Sequence, residues 1–181
     1  AGGMTGTFPA VTLLDPPGHR AGVPNEPHLE MLAKLDTSGM PLVEQREKVV
    51  AEILKQPPVH PPHGAFLYSN FGFAIAGHIA ERVTGKAWET LLQELLFESL
   101  GMTSAGFGAP GLAQADDQPR GHFPGGGAVE PGPMADNPAV IGPAGTVHAT
   151  LGDWAKYVQL HLLGVREDVK LGEKAAAEVR K

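Results

Sequence analysis

The residues best suited to chemistry lie in the tripeptide Tyr68-Ser69-Asn70, which opens an amphipathic stretch that runs to Gly85. A phenol acts as a general base when nearby cations lower its pKa from about 10 towards neutrality. Because Tyr68 and Asn70 stand two positions apart at a helix entrance, both are expected to point into one cleft. The structural alternative is that Tyr68 anchors the loop and Asn70 caps the helix by accepting hydrogen bonds from free amide groups.

The serine hydroxyls do not match a nucleophile motif. Serine nucleophiles occur in patterns such as S-x-x-K, where a lysine follows three residues later, and G-x-S-x-G. The residue three places after each serine of this chain is Pro41, Gly72, Met102 or Phe107, so none has that lysine. We therefore expect Ser69 to cap the helix rather than to attack a substrate.

Histidines supply the remaining candidates. His60 and His63 form an H-x-x-H pattern, which could be half of a metal site, but prolines surround them and no third ligand follows at a usual interval. We expect both to be loop residues and no metal to be bound. His122, in a glycine-rich loop, is a candidate for ligand contact, whereas His148 is expected to be a capping or loop residue.

Composition and charge exclude several classes of function. The net charge is −6, and Lys and Arg never run longer than a pair, which argues against a surface for nucleic-acid phosphates. The chain has no cysteine, so disulfides and thiolate sites are excluded. No window approaches the about eighteen consecutive apolar residues of a membrane span, and the first residues lack a signal-peptide pattern.

Proline and glycine divide the chain into predicted helices. Pro41 suits the first position of a helix that ends before Pro57-Pro58. Gly85 suits the end of the helix that follows the tyrosine, and a further helix is expected to end near Gly101. Apolar stripes predict the buried faces of these two helices, and their members are Phe71, Ile75, Ile79 and Val83 in the first, and Trp88, Leu91, Leu92, Leu95 and Leu96 in the second.

Two further features complete the predicted organisation. Residues 103–144 are rich in glycine and proline and predict a long loop. Thr150, with Asp153 three residues later, has the pattern of a capping box at the start of a last helix. The apolar residues of that helix are expected to face the core, and they are Leu151, Trp154, Val158 and Leu162.

These motifs resemble those of the penicillin-binding serine hydrolases, the family of class C β-lactamases, D-alanyl-D-alanine carboxypeptidases and related esterases. Tyr68-Ser69-Asn70 resembles the family's Y-x-N motif, and the preceding Pro57–Leu67 resembles its P-P-G-x-x-F approach. Val11–Pro24 resembles the segment I-T-L-x-x-L-L-x-H-T-S-G-L-P, in which His19 takes the place of a histidine with a structural role. Gly142–Leu162 resembles the family's P-A-G-x-x-x-S/T-x-x-D-x-A/W region.

The resemblance implies a predominantly α chain, the helical portion of a β-lactamase/transpeptidase-like α+β fold, with long Gly/Pro-rich loops and few short strands. Residues 1–181 would form a single partial domain, in which 103–144 is either a loop over the substrate cleft or a plain surface loop. In the family, an S-x-x-K motif carries the nucleophile and a K-x-G or H-x-G motif closes the site. Lys86 and Lys174 do not fit K-x-G, so the expected segment is the centre of the fold without either motif.

The resemblance also implies a function. Tyr68 and Asn70 would be catalytic-site residues, with His122 and Gly145 as substrate-binding candidates; in the family, this asparagine donates its amide to the acyl side chain of the substrate. We expect a segment of a serine hydrolase that acts on ester, amide or β-lactam bonds through an acyl-enzyme and is inactive alone unless complemented. Because no lysine stands at the family's spacing, Tyr68 is expected to keep its proton in this chain alone. The alternative is a non-catalytic ligand-binding or interaction module derived from that fold.

The expected partners follow from this interpretation. The ligand would be a small-molecule acyl compound, with no cofactor and no nucleic acid. Another chain, or further residues of the same one, would supply the sheet and the nucleophile. The resemblance implies a periplasmic or extracellular location, although the sequence itself does not establish one.

Overall fold

The helices begin and end close to the positions that proline and glycine predict. The computed structural model describes residues 15–24, 32, 35, 37–110, 117–132 and 135–163, so Val11–Leu14 of the family-like segment lie outside the described residues. Helix α1 spans Leu42–Leu54, directly after Pro41. Helix α2 spans Asn70–Thr84 and ends at Gly85, whose φ of 70° is the left-handed conformation that glycine adopts without strain.

The chain divides into two units, each of which packs mainly against itself. The first unit comprises Ala1–Trp88 and Pro138–Gly145, and the second comprises Glu89–Asn137 and Thr146–Lys181. The single partial domain over 1–181 therefore stays a prediction, and each unit is described by its own packing.

The core of the first unit lies between α1, α2 and a 3₁₀ helix that spans Ala139–Ala144. The predicted stripe of α2 is half right, because Phe71 and Ile75 are buried whereas Ile79 is 38% and Val83 is 80% exposed. The buried face of α2 continues instead through small residues and one carboxylate. Its buried members are Phe71, Gly72, Ala74, Ile75, Gly77 and Glu81.

Glycine lets other segments approach α2 closely. A Cβ atom on Gly77 would lie 2.4 Å from Pro143 Cγ, and one on Gly72 would lie 2.8 Å from the carbonyl oxygen of Pro16. Both distances are shorter than real Cβ contacts, so these two positions require glycine. The small residues of α2 therefore admit a turn and the 3₁₀ helix against its surface.

A buried ion pair joins the elements of the first unit. Arg46 on α1 has no solvent exposure, and its guanidinium pairs with the carboxylate of Glu81 on α2. Its Nε also donates to the carbonyl oxygen of Val140, at 3.1 Å, in the 3₁₀ helix. Glu81 Oε1 accepts a further hydrogen bond from the backbone N–H of Trp88, at 3.0 Å. The pair thus connects α1, α2, the 3₁₀ helix and the start of the next helix.

That next helix contains a π-helical turn. Helix α3 spans Trp88–Leu92, the π turn spans Gln93–Phe97, and helix α4 spans Glu98–Leu100 before Gly101 ends it in the left-handed conformation. A π turn inserts a residue and so rotates the face that follows it. This explains why Phe97 is 1% exposed while Leu95, a member of the predicted stripe, is 51% exposed.

The strands are few and short, as expected. Strand β1, Gly106–Phe107, pairs antiparallel with strand β2, Val147–His148. Within the predicted loop 103–144, the structure places β1, the 3₁₀ helix and a tight turn in which the N–H of Phe123 donates to the carbonyl oxygen of Gly127. The prediction of a mainly helical chain with short strands is confirmed.

Helix α5 spans Leu151–Leu163 in the second unit. Thr150 caps it as predicted, because its Oγ1 accepts the N–H of Asp153 at 3.4 Å. The prediction that its apolar stripe faces the core is wrong, since Leu160 and Asp153, which are not members of the stripe, are the buried residues of this helix. The exposed fractions of the stripe are 86% for Leu151, 50% for Trp154, 37% for Val158 and 77% for Leu162.

Within the described residues, no helix combines the length and apolar character needed to cross a membrane.

Candidate active site

Tyr68 and Asn70 meet at the start of α2, as their spacing predicts. The Tyr68 hydroxyl donates a hydrogen bond to Asn70 Oδ1 at 3.0 Å. Tyr68 is 54% exposed, so its hydroxyl is accessible to a ligand from solvent. Asn70 is the first residue of the helix rather than its cap, which leaves its side chain available to the phenol.

Ser69 is the cap of α2, and this prediction is confirmed. Its Oγ accepts the N–H of Gly72 at 3.4 Å and donates to the carbonyl oxygen of Pro24 at 3.3 Å. The residue is 2% exposed. A buried hydroxyl that already donates one hydrogen bond and accepts another is unsuited to attack a substrate.

The segment before Tyr68 is held by the turn that begins at Asp15. The N–H groups of Val59, His63 and Leu67 donate to the carbonyl oxygens of Gly22, Arg20 and His19, respectively, each at 2.9 Å. Backbone hydrogen bonds at three points of one loop fix its path, so the position of Tyr68 is determined by residues more than forty places earlier in the chain.

The side chain of His19 also reaches this site, a contact that the sequence did not predict. Its Nδ1 accepts the N–H of Ser69 at 3.1 Å. Its ring lies against that of Tyr68, with the centroids 4.6 Å apart. The only signal in the sequence was the match of His19 to a histidine of the family segment.

The H-x-x-H histidines do not face each other as ligands. His63 Nδ1 lies 2.8 Å from Asp15 Oδ1, and His60 Nδ1 lies 3.0 Å from the carbonyl oxygen of Pro61. No group of three or more His, Asp or Glu side chains among the described residues could hold a metal ion.

The two substrate-binding candidates lie in different units. Gly145 ends the 3₁₀ helix of the first unit and donates its N–H to the carbonyl oxygen of Gly142 at 3.0 Å. His122 belongs to the second unit, where it is exposed and pairs with Ala128 in a short antiparallel bridge. Contact of either residue with a substrate stays a prediction.

A second serine lies in a polar cluster of the second unit. Ser104 Oγ donates to Asp153 Oδ2 at 2.6 Å, and Lys156 Nζ donates to Asp153 Oδ1 at 2.6 Å. Ser104 Oγ also accepts the N–H of Thr150 at 3.1 Å, so this hydroxyl extends the cap of α5. The side-chain hydrogen bonds from Lys156 and Ser104 lower the pKa of Asp153 from 3.8 to about 2. A carboxylate with a lowered pKa is a weak base, and its hydrogen bonds join Ser104, before strand β1, to Lys156 on α5.

A cavity of about 880 Å³ adjoins this cluster. It lies within the second unit, beside the start of α5, and its polar lining includes Ser104, Gln118, His148 and Thr150. His148 Nδ1 is engaged with the carbonyl oxygen of Gly108 at 2.7 Å. The hydroxyls of Ser104 and Thr150 in its lining already have hydrogen-bond partners.

The pKa of Asp153 predicts an acid-sensitive contribution to stability. Because the carboxylate takes up its proton near 3.8 when unfolded and near 2 when folded, the stabilisation is complete above about pH 4 and is lost as the pH falls towards 2. The variant Asp153→Asn lacks this contribution. Urea midpoints at about pH 5 and about pH 2 should therefore show the unmodified protein well above the variant at the higher pH, with a smaller gap at the lower pH. An equal gap at both values would contradict the assignment.

The sequence also corrects one part of the expected pattern. Lys170-Leu171-Gly172 has the letters K-x-G, although neither Lys86 nor Lys174 does. With 24 glycines in 181 residues, about one such match is expected by chance, so the tripeptide is weak support for a closing motif. It lies outside the described residues.

Comparisons with known proteins agree with this architecture. Residues 6–180 match the family model described as Beta-lactamase. The chain is 28% identical over 170 residues to Unguisins hydrolase ungD of Aspergillus violaceofuscus, covering 86% of this chain and 28% of that protein. It is 33% identical over 104 residues to Penicillin-binding protein 4 of Amycolatopsis lactamdurans, covering 56% of this chain and 27% of that protein.

A solved structure shows the same fold at low sequence identity. The D-stereospecific amidohydrolase of a Streptomyces species superposes with a TM-score of 0.66 at 20% identity, over 93% of this chain and 50% of that one. The chain thus spans half the length of that structure and less than a third of the curated relatives it matches.

Proposed function

Since this chain belongs to the beta-lactamase family, whose model matches residues 6–180, we propose that it forms part of a serine hydrolase that opens an ester, amide or β-lactam bond. The serine-hydrolase-like fold itself follows from the family. The bond that is cleaved and the roles of individual residues are the proposal.

The observation that carries the proposal is the hydrogen bond between Tyr68 and Asn70 at the entrance of α2. An exposed phenol whose hydroxyl lies 3.0 Å from a carboxamide oxygen can donate a proton to a bound substrate or accept one from it. Its ring and both neighbouring residues are fixed by the turn around His19, so the hydroxyl has a defined position. A tyrosine that only anchored the loop would not need an exposed hydroxyl.

The proposed reaction has two steps. A serine oxygen attacks the substrate carbonyl, the bond to the leaving group breaks, and Tyr68 relays the serine proton to that leaving group. Water then attacks the carbonyl of the acyl-serine, the bond to the serine oxygen breaks, and the same relay carries the proton of the water to that oxygen, which releases the acid and restores the serine. Asn70 would hold the acyl side chain of the substrate, with Gly145 and His122 as further contacts.

The nucleophile is proposed to come from outside these 181 residues. None of their serines has the S-x-x-K lysine; Ser69 caps α2, and Ser104 is hydrogen bonded to Asp153 and to Thr150, the residue that caps α5. The exposed stripe of α5 supports a missing neighbour, since contiguous exposed apolar surface marks a contact with other protein. We therefore propose that a polypeptide with an S-x-x-K serine, in the same chain or another, completes the enzyme.

Covalent labelling tests the proposal. The 181-residue chain alone should not react with a fluorescent penicillin or a fluorophosphonate, because it lacks an activated serine. The intact mass of the native protein identifies any accompanying S-x-x-K polypeptide, and this completed form should be labelled on that serine. Replacing the serine by alanine is the control and should abolish the label.

Two results would contradict the proposal. Labelling of the 181-residue chain alone would place the nucleophile within it. Failure of the completed form to label with either reagent would instead favour the non-catalytic binding module.

A further inference from the structure

His19 contacts the Tyr68 segment through both its backbone and its ring. Its carbonyl oxygen accepts the N–H of Leu67 at 2.9 Å, and its Nδ1 accepts the N–H of Ser69 at 3.1 Å. These two hydrogen bonds fix the residues immediately before and after Tyr68. The imidazole also lies between aromatic rings, with centroid distances of 4.6 Å to Tyr68 and 5.5 Å to Phe73.

The hydrogen bond from Ser69 determines the tautomer of His19. A backbone N–H can only donate, so Nδ1 must offer its lone pair and the ring proton must lie on Nε2. An imidazolium carries a proton on both nitrogens and could not accept this bond. Neutral imidazole in one defined tautomer is therefore a requirement of the observed geometry.

The backbone of His19 is in an unfavourable conformation. Its φ is 55°, in the left-handed region that is uncommon for residues other than glycine, although histidine, asparagine and aspartate adopt it more often than most. The turn is closed by hydrogen bonds from the N–H of His19 to Pro16 and from the N–H of Arg20 to Asp15. Such a conformation persists where the surrounding structure holds it in place, as these hydrogen bonds do.

We propose that His19 is a positioning residue, which holds Tyr68 in place for catalysis by accepting the Ser69 N–H through Nδ1. The catalytic half of this statement rests on the function proposed for Tyr68. The structural half, that this acceptor fixes the backbone of the Tyr68 segment, does not depend on any activity.

Two substitutions separate the acceptor from the backbone strain. His19→Asn places Oδ1 close to the position of Nδ1, and asparagine tolerates the left-handed conformation. His19→Gly tolerates it equally but has no acceptor. Amide hydrogen exchange of Ser69, measured by NMR, should be nearly unchanged in His19→Asn and about tenfold faster in His19→Gly, which corresponds to the loss of one part-buried hydrogen bond.

His63 provides the matched control. It is a second histidine with a left-handed backbone, φ 62°, in the same loop system, but its Nδ1 faces Asp15. His63→Gly should leave the exchange of the Ser69 amide unchanged. Equal protection of Ser69 in His19→Gly and in the unmodified protein would overturn the proposal. So would an ¹⁵N chemical shift showing a proton on Nδ1 of His19 in the unmodified protein, a measurement that needs no variant to fold.

Acylation tests the catalytic half. In the completed form, His19→Gly should slow acylation by fluorescent penicillin about 100-fold, with the half-saturating concentration nearly unchanged, because misplacing a catalytic group lowers the chemical step. His19→Asn should recover most of the rate. If His19→Gly acylates as fast as the unmodified protein, His19 does not act through Tyr68. If the unmodified completed form is not acylated, the proposed function fails while the exchange result stands.

Discussion

Replacing Glu81 by alanine is expected to lower the free energy of unfolding by about 3–5 kcal/mol, the cost of leaving a buried charge without its partner. Arg46 would keep its place between α1 and the 3₁₀ helix, fully excluded from solvent and without the carboxylate that pairs with its guanidinium. The N–H of Trp88 would also lose its acceptor. Urea denaturation followed by far-ultraviolet circular dichroism measures the change.

The same two helices supply the control for this prediction. Glu47 and Arg82 are the immediate neighbours of Arg46 and Glu81, and they form an ion pair of 3.4 Å whose side chains are 53% and 67% exposed. Because exposed pairs contribute little, Glu47→Ala should cost no more than about 1 kcal/mol. A cost for Glu81→Ala no larger than that for Glu47→Ala would contradict the role of burial.

A double variant separates charge burial from packing. Arg46→Met with Glu81→Leu removes both charges and keeps apolar volume, so part of the stability lost in Glu81→Ala should return. Recovery is expected to be incomplete, because the carbonyl oxygen of Val140 and the N–H of Trp88 lose their partners. If the double variant lost more unfolding free energy than Glu81→Ala, the ion pair itself would stabilise the fold, and the uncompensated charge would not explain the loss.

Local chemistry in the sequence predicts the helix boundaries well. Ser69, Gly85 and Gly101 act within one turn of their own position and lie where the sequence places them, as a cap and two left-handed stops. Pro41 stands one residue before its helix rather than at the first position. The meeting of Tyr68 and Asn70 is also local, since a helix entrance brings residues two apart to the same side. These features need no information from the rest of the chain.

The contacts that the sequence did not predict join distant residues. Arg46 and Glu81 are 35 residues apart, and His19 and Ser69 are 50 apart. A signal was present in the first case, because Arg46 shares its face of α1 with Val49, Val50 and Ile53, where a charge requires a buried partner. A single charge on an apolar face does not identify which opposite charge it meets.

The prediction for the apolar stripe of α5 was wrong for a different physical reason. The spacing of apolar residues shows that one face of a helix must be covered by other protein. It does not show that the covering residues belong to this sequence of 181 residues. Trp154 and Leu162 are apolar at the correct spacing and are still half or more exposed. The π turn had a similar effect on Leu95, because an inserted residue rotates a face without any mark in the apolar pattern.

Replacing Tyr68 by phenylalanine in the completed enzyme should lower kcat by about 10²–10⁴-fold, the usual contribution of a general acid–base group. The substitution keeps the ring that packs on His19 and removes only the exposed hydroxyl, so stability should change by no more than about 0.5 kcal/mol. Acylation by fluorescent penicillin measures the rate, and a nearly constant KM would place the loss in the chemical step.

The second tyrosine of the chain is the matched control for this prediction. Tyr157 lies on α5 in the second unit, where its ring packs on Trp154 and His161. The same chemical change, Tyr157→Phe, should leave kcat within about twofold, because it removes a hydroxyl that has no part in the proposed reaction. A Tyr68→Phe enzyme as active as Tyr157→Phe would reduce Tyr68 to a loop anchor.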